Sequence, residues 1–386
     1  MKKVLVLGGD GFCGWATSLH LSDLGHDVSI LDNLSRREIA GELEAPSLTP
    51  IKSPYDRVDS WKCVSGKTIR FYRADIAEEP DILLEALQRI EPDVIIHFAE
   101  QRAAPYSMKT LRTRGYTVDN NISATHNVLS AIVESGQDIH LVHLGTMGVY
   151  GYGTAGAKIP EGYQDVLFNP EGDSPQRAEI LYPANPGSIY HMTKCMDQLM
   201  FAYYAKNFEL RITDLHQGIV WGTQTDTMLQ SEYLINRFDY DGDYGTVLNR
   251  FLMQAAIDHP LTVHGTGGQT RAFIHIKDSI RCLQLAIENP PATGDRVKIL
   301  NQMTETHRLI DLANRIADIT GAKIMHLENP RKEAAENDLD VCNDCFVELG
   351  LKPTLLSDGL LTEITDIAEK YKDSVVLDTI VCKSLW

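Results

Sequence analysis

The first fifteen residues constrain the fold more than any other stretch. Lys3 to Leu7 is an apolar run that reads as a buried parallel strand. Gly8-Gly9-Asp10-Gly11-Phe12-Cys13-Gly14-Trp15 then turns it into an amphipathic helix ending near Leu24-Gly25. The glycines satisfy G-x-x-G-x-x-G through Gly8, Gly11 and Gly14, and G-x-G-x-x-G through Gly9, Gly11 and Gly14. Glycine is required because the backbone must turn tightly, admit a pyrophosphate to its amides and pack helix against strand. The next strand, Asp27 to Leu31, ends in Asp32, at the distance where an acid accepts hydrogen bonds from an adenosine ribose. A 2′-phosphate is repelled there, which favours NAD over NADP, whereas Arg36 and Arg37 nearby offer a phosphate partners. Candidate cofactor contacts are therefore Gly8, Gly9, Asp10, Gly11, Phe12, Cys13, Gly14, Asp32, Asn33 and Arg36, with Asp75 and Ile76 after the third strand.

The strand–helix rhythm predicts an α/β fold, a Rossmann-type doubly wound parallel sheet with a smaller C-terminal substrate-binding lobe. Residues 1–215 form the first domain, interrupted by an insertion at about 36–66 where Pro46, Pro50 and Pro54 are expected to break any regular element. Residues 216–386 form mainly the second lobe, with some segments returning to the first. Asp75 is placed either to bond an adenine amino group or to cap the following helix.

Composition narrows the partners. The chain has 386 residues, 43% hydrophobic and 23% charged, and a formal net charge of -17, which argues against nucleic acid or an anionic membrane as the main partner. The basic, apolar start meets glycines too soon for a secretion signal, and no stretch is long enough to span a bilayer. Seven scattered cysteines fit a reducing cytosol, so a cytoplasmic location is expected. Cys342-Asn343-Asp344-Cys345 lacks a second pair to complete a zinc site, and no metal is expected.

Two later stretches carry chemistry. Tyr190 and Lys194 stand four residues apart and share a helix face, so the ammonium is expected to favour a phenolate usable near neutral pH. Strand His140 to Leu144 delivers Thr146 to a carboxyl edge, adding a hydroxyl. Strand Val94 to Ala99 leads into Glu100-Gln101-Arg102-Ala103-Ala104-Pro105-Tyr106-Ser107, a polar loop at another such edge.

These ordered motifs resemble the extended short-chain dehydrogenase/reductase family, in its nucleotide-sugar branch, over nearly the whole chain. Within it, the glycine turn, Asp32-Asn33-Leu34-Ser35-Arg36-Arg37, Glu100 to Met108, Gly145-Thr146-Met147-Gly148 and Tyr190-His191 resemble members that sulfonate a nucleotide sugar. The resemblance implies tightly held, recycled NAD, UDP-glucose and sulfite as substrates, and a homodimer, with a sulfur-delivering protein as an alternative donor. It implies oxidation at C4 with Tyr190 taking the proton, Lys194 stabilising the phenolate and Thr146 holding the same oxygen. Loss of water across C5 and C6 and addition of sulfite at C6 follow. It places Gln101, Arg102, Gln217, Asn249, Arg250, Gln269, Arg271, Arg331 and Glu333 at the substrate, Arg102 as a sulfite anchor and Glu333 or Glu336 at the uridine ribose. Related dehydratases follow the threonine with Asp-Glu, where this chain has Met147-Gly148; His191 is the candidate to replace them, although adjacent helical residues face about 100° apart. A UDP-sugar 4-epimerase needs the same Thr, Tyr and Lys, and a non-catalytic NAD sensor needs none of them.

Overall fold

The structure is a computed structural model that describes residues 1–151, 158–169, 174–358, 361–382 and 384. Its first lobe is built on seven parallel strands: β1 (Lys3–Leu7), β2 (Asp27–Asp32), β3 (Ile69–Arg73), β4 (Val94–His97), β5 (His140–Thr146), β6 (Arg211–Gln217) and β7 (Lys298–Gln302). Their order is β7-β6-β5-β4-β1-β2-β3. β1 is central because it is apolar on both faces: Val4, Leu5, Val6 and Leu7 are fully buried. Val4 pairs with Val28 of β2 on one side and with Val94 of β4 on the other. The chain leaves β1 in one direction and returns at β4 in the other, opening a crevice at the carboxyl ends of these two strands.

Helices cover both faces. Helix Phe12–Asp23 packs with helix Ile276–Glu288 in one core, which also takes in Trp61. Helices Pro80–Ile90, Leu111–Ser135 and Ile189–Phe208 bury their apolar residues in the other. β7 and helix Ile276–Glu288, both late in the chain, thus belong to the first lobe. The second lobe has its own core around Phe238, Tyr240, Phe251 and Phe273. Strand Gly268–His275 organises it, flanked by Ile219–Trp221 and Glu305–Arg308, while Leu261–His264 pairs with Ile324–Leu327.

The insertion departs from the expected irregular loop. It contains helices Ser35–Glu42 and Pro54–Ser65. Pro54 starts the second rather than breaking it, since the first helical turn needs no amide there, and the Ser53 hydroxyl accepts the Asp56 amide. This helix sends two large buried side chains toward the glycine turn. Trp61 donates to the Ser22 hydroxyl at 2.9 Å, and Arg57 donates to Asp10 at 2.9 Å while its guanidinium lies 3.9 Å over the Trp15 ring. Arg37 makes a two-pronged pair with the same carboxylate at 2.6 and 2.8 Å. Arg57 is 1% exposed, so its removal strands much of a buried charge. Arg57→Ala should destabilise the protein by on the order of 3 kcal/mol, read as a lower urea midpoint with unchanged slope; a midpoint equal to wild type would show that Arg37 alone suffices.

Candidate active site

At one end of the crevice the glycine turn is sterically fixed. Gly8 has φ +79°, and a Cβ added at Gly14 would lie 2.2 Å from the Gly8 carbonyl oxygen. Asp32 at the end of β2 accepts the Asp10 amide at 2.9 Å and the Leu34 amide at 2.7 Å. Burial pushes its carboxyl up to about 6, with the Asp10 charge adding to the rise. Asn33 donates to Asp75 at 2.8 Å, and Asp75 accepts the Ala77 amide, closing a local turn ahead of the helix that starts at Pro80. Cys13, Asn33, Asp75 and Ile76 line the same cavity as the turn, and burial lifts the Cys13 thiol to about 11. A close backbone cradle facing a carboxylate at the next strand end fits a dinucleotide. Arg36 lines the same cavity and pairs with Asp239 at 2.9 Å.

At the centre, β5 presents Thr146 and helix Ile189–Phe208 presents Tyr190 and Lys194. The helix begins where the Ser188 hydroxyl accepts the His191 amide, the cap that fixes its first turn. Tyr190 hydrogen-bonds the Thr146 hydroxyl, which also accepts the Gly148 amide at 3.1 Å. Lys194 is shared between the phenol and a set of buried partners. Its ammonium lies 2.6 Å from Glu100, 2.9 Å from His143 Nε2 and 3.0 Å from the Leu144 carbonyl oxygen. Burial pulls that ammonium down, but Glu100 and Asp197 outweigh it and hold it above its ordinary value. Burial pushes the Tyr190 phenol up to about 12, against the pull of Lys194 and with Glu100 adding to the rise. On the phenol, desolvation is the larger effect and the nearest carboxylate works against the lysine.

Glu100, His143 and Asp197 are grouped as cation ligands would be, and the Lys194 ammonium lies among them. His143 continues the network through Nδ1 to Asp214 at 2.8 Å, Asp214 to His216 at 2.9 Å, and His216 to the Tyr150 hydroxyl at 2.5 Å. Of these residues the sequence reading picked out only Glu100, as part of its loop. The available signal was the occurrence of His143, Asp214 and His216 inside two strands of the central sheet, where charged groups need partners.

His191 takes the position that adjacent residues on a helix made doubtful. Its ring lies against Gly148, where an added Cβ would be 2.3 Å from Nε2 and 2.2 Å from Cδ2. Any side chain at 148 would collide with the imidazole. Its Nδ1 lies 3.1 Å from the Ser188 hydroxyl, and burial with the nearby Arg331 and Arg271 lowers it to about 3, so the ring is neutral.

The far end is formed by the second lobe. Gln269 is 1% exposed and neither side-chain polar atom has a hydrogen-bond partner. Asn249 Oδ1 and Arg250 Nε are likewise buried and unsatisfied, and all three residues line the cavity. Arg271 pairs with Glu333 at 2.5 Å, and Arg331 is beside them in the wall. Glu336 instead lies in a short strand paired with Gly268. Gln217 donates to Ser279 at 2.7 Å and also faces the cavity. Gln101 turns inward to Ala103 and Thr117, holding its loop, while Arg102 pairs with Asp239 at 2.6 Å.

The family sequence model for NAD dependent epimerases and dehydratases matches residues 4–300. The chain is 44% identical over its whole length to the chloroplastic UDP-sulfoquinovose synthase of Spinacia oleracea, covering 79% of it. It is 39% identical to the UDP-sulfoquinovose synthase of Sulfolobus acidocaldarius over 91% of this chain and 88% of that one. The chain belongs to the NAD dependent epimerase/dehydratase family, among its UDP-sulfoquinovose synthases. A UDP-glucose 4-epimerase of Thermotoga maritima, solved with UDP-glucose, shares the fold at TM-score 0.70 and 18% identity, covering 96% of this chain and 99% of that one. The Thermus thermophilus UDP-glucose 4-epimerase, solved with NAD, does so at 0.65 and 19% over the same shares. Among the described residues, no helix is long and apolar enough to cross a membrane.

The Glu100 charge has a readable consequence in this family's site. It raises the Tyr190 phenol, so its loss should lower it. Glu100→Gln should move the rising limb of the pH–rate profile for UDP-glucose oxidation to lower pH, whereas an unmoved limb would remove Glu100 from the control of Tyr190.

Proposed function

We propose that the protein joins sulfite to UDP-glucose, releasing water and forming UDP-6-sulfo-6-deoxyglucose with no net redox change. The single observation that carries this reading is the His191 ring seated against Gly148 beside Tyr190 and Thr146. A plain 4-epimerase has no use for a second proton acceptor at C5. When bound, NAD supplies a reversible hydride acceptor at C4, and Gly8, Gly11, Gly14, Asp32 and Lys194 are the residues that would hold it.

The chain's own groups handle the protons. Tyr190 takes the proton of the C4 hydroxyl and returns it at the end, with Thr146 holding that oxygen in place. Lys194, shared between Glu100 and the phenol, sets how readily Tyr190 ionises. A ketone at C4 acidifies C5, and neutral His191 accepts that proton through Nε2, its Nδ1–H donating to Ser188. His191 passes the C5 proton to the departing C6 hydroxyl, which leaves as water. The sulfur lone pair of sulfite, entering as bisulfite, adds to C6, and the proton that bisulfite gives up is delivered through His191 to C5. Arg271 and Arg331 hold the diphosphate, with Arg271 oriented by Glu333, and Asn249, Arg250 and Gln269 bind the nucleotide.

Sulfite is taken up directly in this reading, a delivering protein being the alternative source. The enzyme acts in the cytoplasm as a homodimer, a state supported by the apolar side chains Leu199 and Tyr203, 66% and 58% exposed on helix Ile189–Phe208.

Mass spectrometry of the nucleotide sugar after incubation with UDP-glucose and sulfite, with and without added NAD, tests the reaction. A sulfonated hexose nucleotide is expected, and Tyr190→Phe should lower its rate by at least ~10²-fold. UDP-galactose as the product would overturn the reading in favour of epimerisation.

A further inference from the structure

Three arginines from separate parts of the chain converge on one buried carboxylate. Asp239 accepts from Arg36 Nη2 at 2.9 Å and Arg237 Nε at 3.3 Å on one oxygen, and from Arg102 Nη2 at 2.6 Å on the other. Arg237 is 2% exposed and Asp239 5%. Arg36 also lies 3.7 Å over the ring of Tyr244, which fixes the plane of its fork.

Charge and hydrogen bonding are both left unbalanced. Three guanidiniums against one carboxylate leave an excess of two positive charges, with Arg237 and Asp239 buried and Arg102 reaching the surface. Burial pulls the Arg237 guanidinium below its ordinary value, Asp239 pulls it back up, and Arg36 and Arg102 press it down again. Neighbouring acids do not make up the deficit. Asp10 is taken by Arg37 and Arg57, and Asp241, whose carboxyl burial pushes up, accepts the amides of Asp243 and Tyr244. Arg36 Nε, Arg36 Nη1 and Arg237 Nη1 are buried with no hydrogen-bond partner. Arg36, Arg102, Arg237 and Asp239 all line the cavity that Thr146, Tyr190 and His191 face. Buried donors are almost always satisfied in native proteins, so unpartnered donors on residues that line a cavity point to a ligand that completes them. Planar forks oriented from behind by a carboxylate suit the oxygens of a compact anion.

We propose that Arg36, Arg102 and Arg237, oriented by Asp239, form an oxyanion seat, and that its ligand is sulfite held through its oxygens with the sulfur lone pair left to attack. The identity of the ligand rests on the reaction proposed above. The same chemistry would receive the cofactor's diphosphate, and the two sources separate by experiment.

Sulfite titrated calorimetrically into the NAD-loaded protein should bind. Arg237→Gln should weaken that binding at least tenfold with bound NAD, measured on the same sample, at the wild-type content, and Arg237→Lys should restore part of the loss. Should Arg237→Gln fail to fold, Arg36→Gln, on a partly exposed side chain, must show the same loss of sulfite. Equal sulfite affinity in a folded variant overturns the seat. Loss of bound NAD with sulfite binding intact overturns it in favour of the diphosphate. Wild-type protein that binds sulfite but forms no sulfonated sugar leaves the seat standing and removes the reaction; sulfonation by Arg237→Gln at an unchanged KM for sulfite does the reverse.

Discussion

The Lys194 ammonium, enclosed by Glu100, His143 and Asp197, is the interaction on which the catalytic centre depends. It lies within a 4% exposed side chain and three groups that are as deeply buried. A lone charge there would be expelled or neutralised, and a single pair barely offsets its own desolvation. The set closes by alternating sign. Glu100 is held well below the usual carboxylate range by Lys194 and His143 despite burial, which acts the other way. His143 is raised to about 9, against burial and Lys194, by Asp214 and Glu100. Asp197 is raised by burial and by Glu100, against the pull of Lys194 and His143. β4, β5, β6 and helix Ile189–Phe208 each supply a member or the turn that carries it, so the network ties the sheet's carboxyl edge to the catalytic helix.

The crevice above this network does not share the acidic excess of the molecule, because its lining carries as many basic as acidic side chains. The chain as a whole is strongly acidic, yet Arg36, Arg102, Arg237, Arg250, Arg271 and Arg331 all face the cavity. An acidic surface discourages polyanions such as nucleic acid, while arginines recessed in the crevice offer local partners to small anions that fit inside. Each proposed ligand carries phosphate or sulfur oxygens, and the arrangement suits them all.

Much of the fold was legible because its signals are local. β1, the glycine turn and Asp32 lie within one short stretch, and the turn tolerates nothing larger than glycine at positions 8 and 14. Tyr190, Lys194 and Thr146 were legible as residue types at known positions on elements. The partners of those residues were not, because they are set by tertiary packing. Arg36 was legible from its place after β2, but its protein partner, Asp239, lies 203 residues away. Lys194 was expected to serve Tyr190, and nothing in the spacing showed that Glu100 would compete for it. The insertion was misjudged from its prolines because a proline at a helix start and one inside a helix look alike without the flanking cap. Gly148 carried a signal in hindsight of geometry alone: it marks where an imidazole fills the space of a side chain.

The central claim is that oxidation at C4 is temporary and the same hydrogen comes back. Deuterium placed at C4 of UDP-glucose tests it directly when the sulfonated product is analysed by NMR and mass spectrometry. The account predicts that the product keeps the label at C4 while C5 exchanges with solvent through His191. A product with hydrogen at C4, or one whose C5 hydrogen never exchanges under any turnover condition, would contradict it.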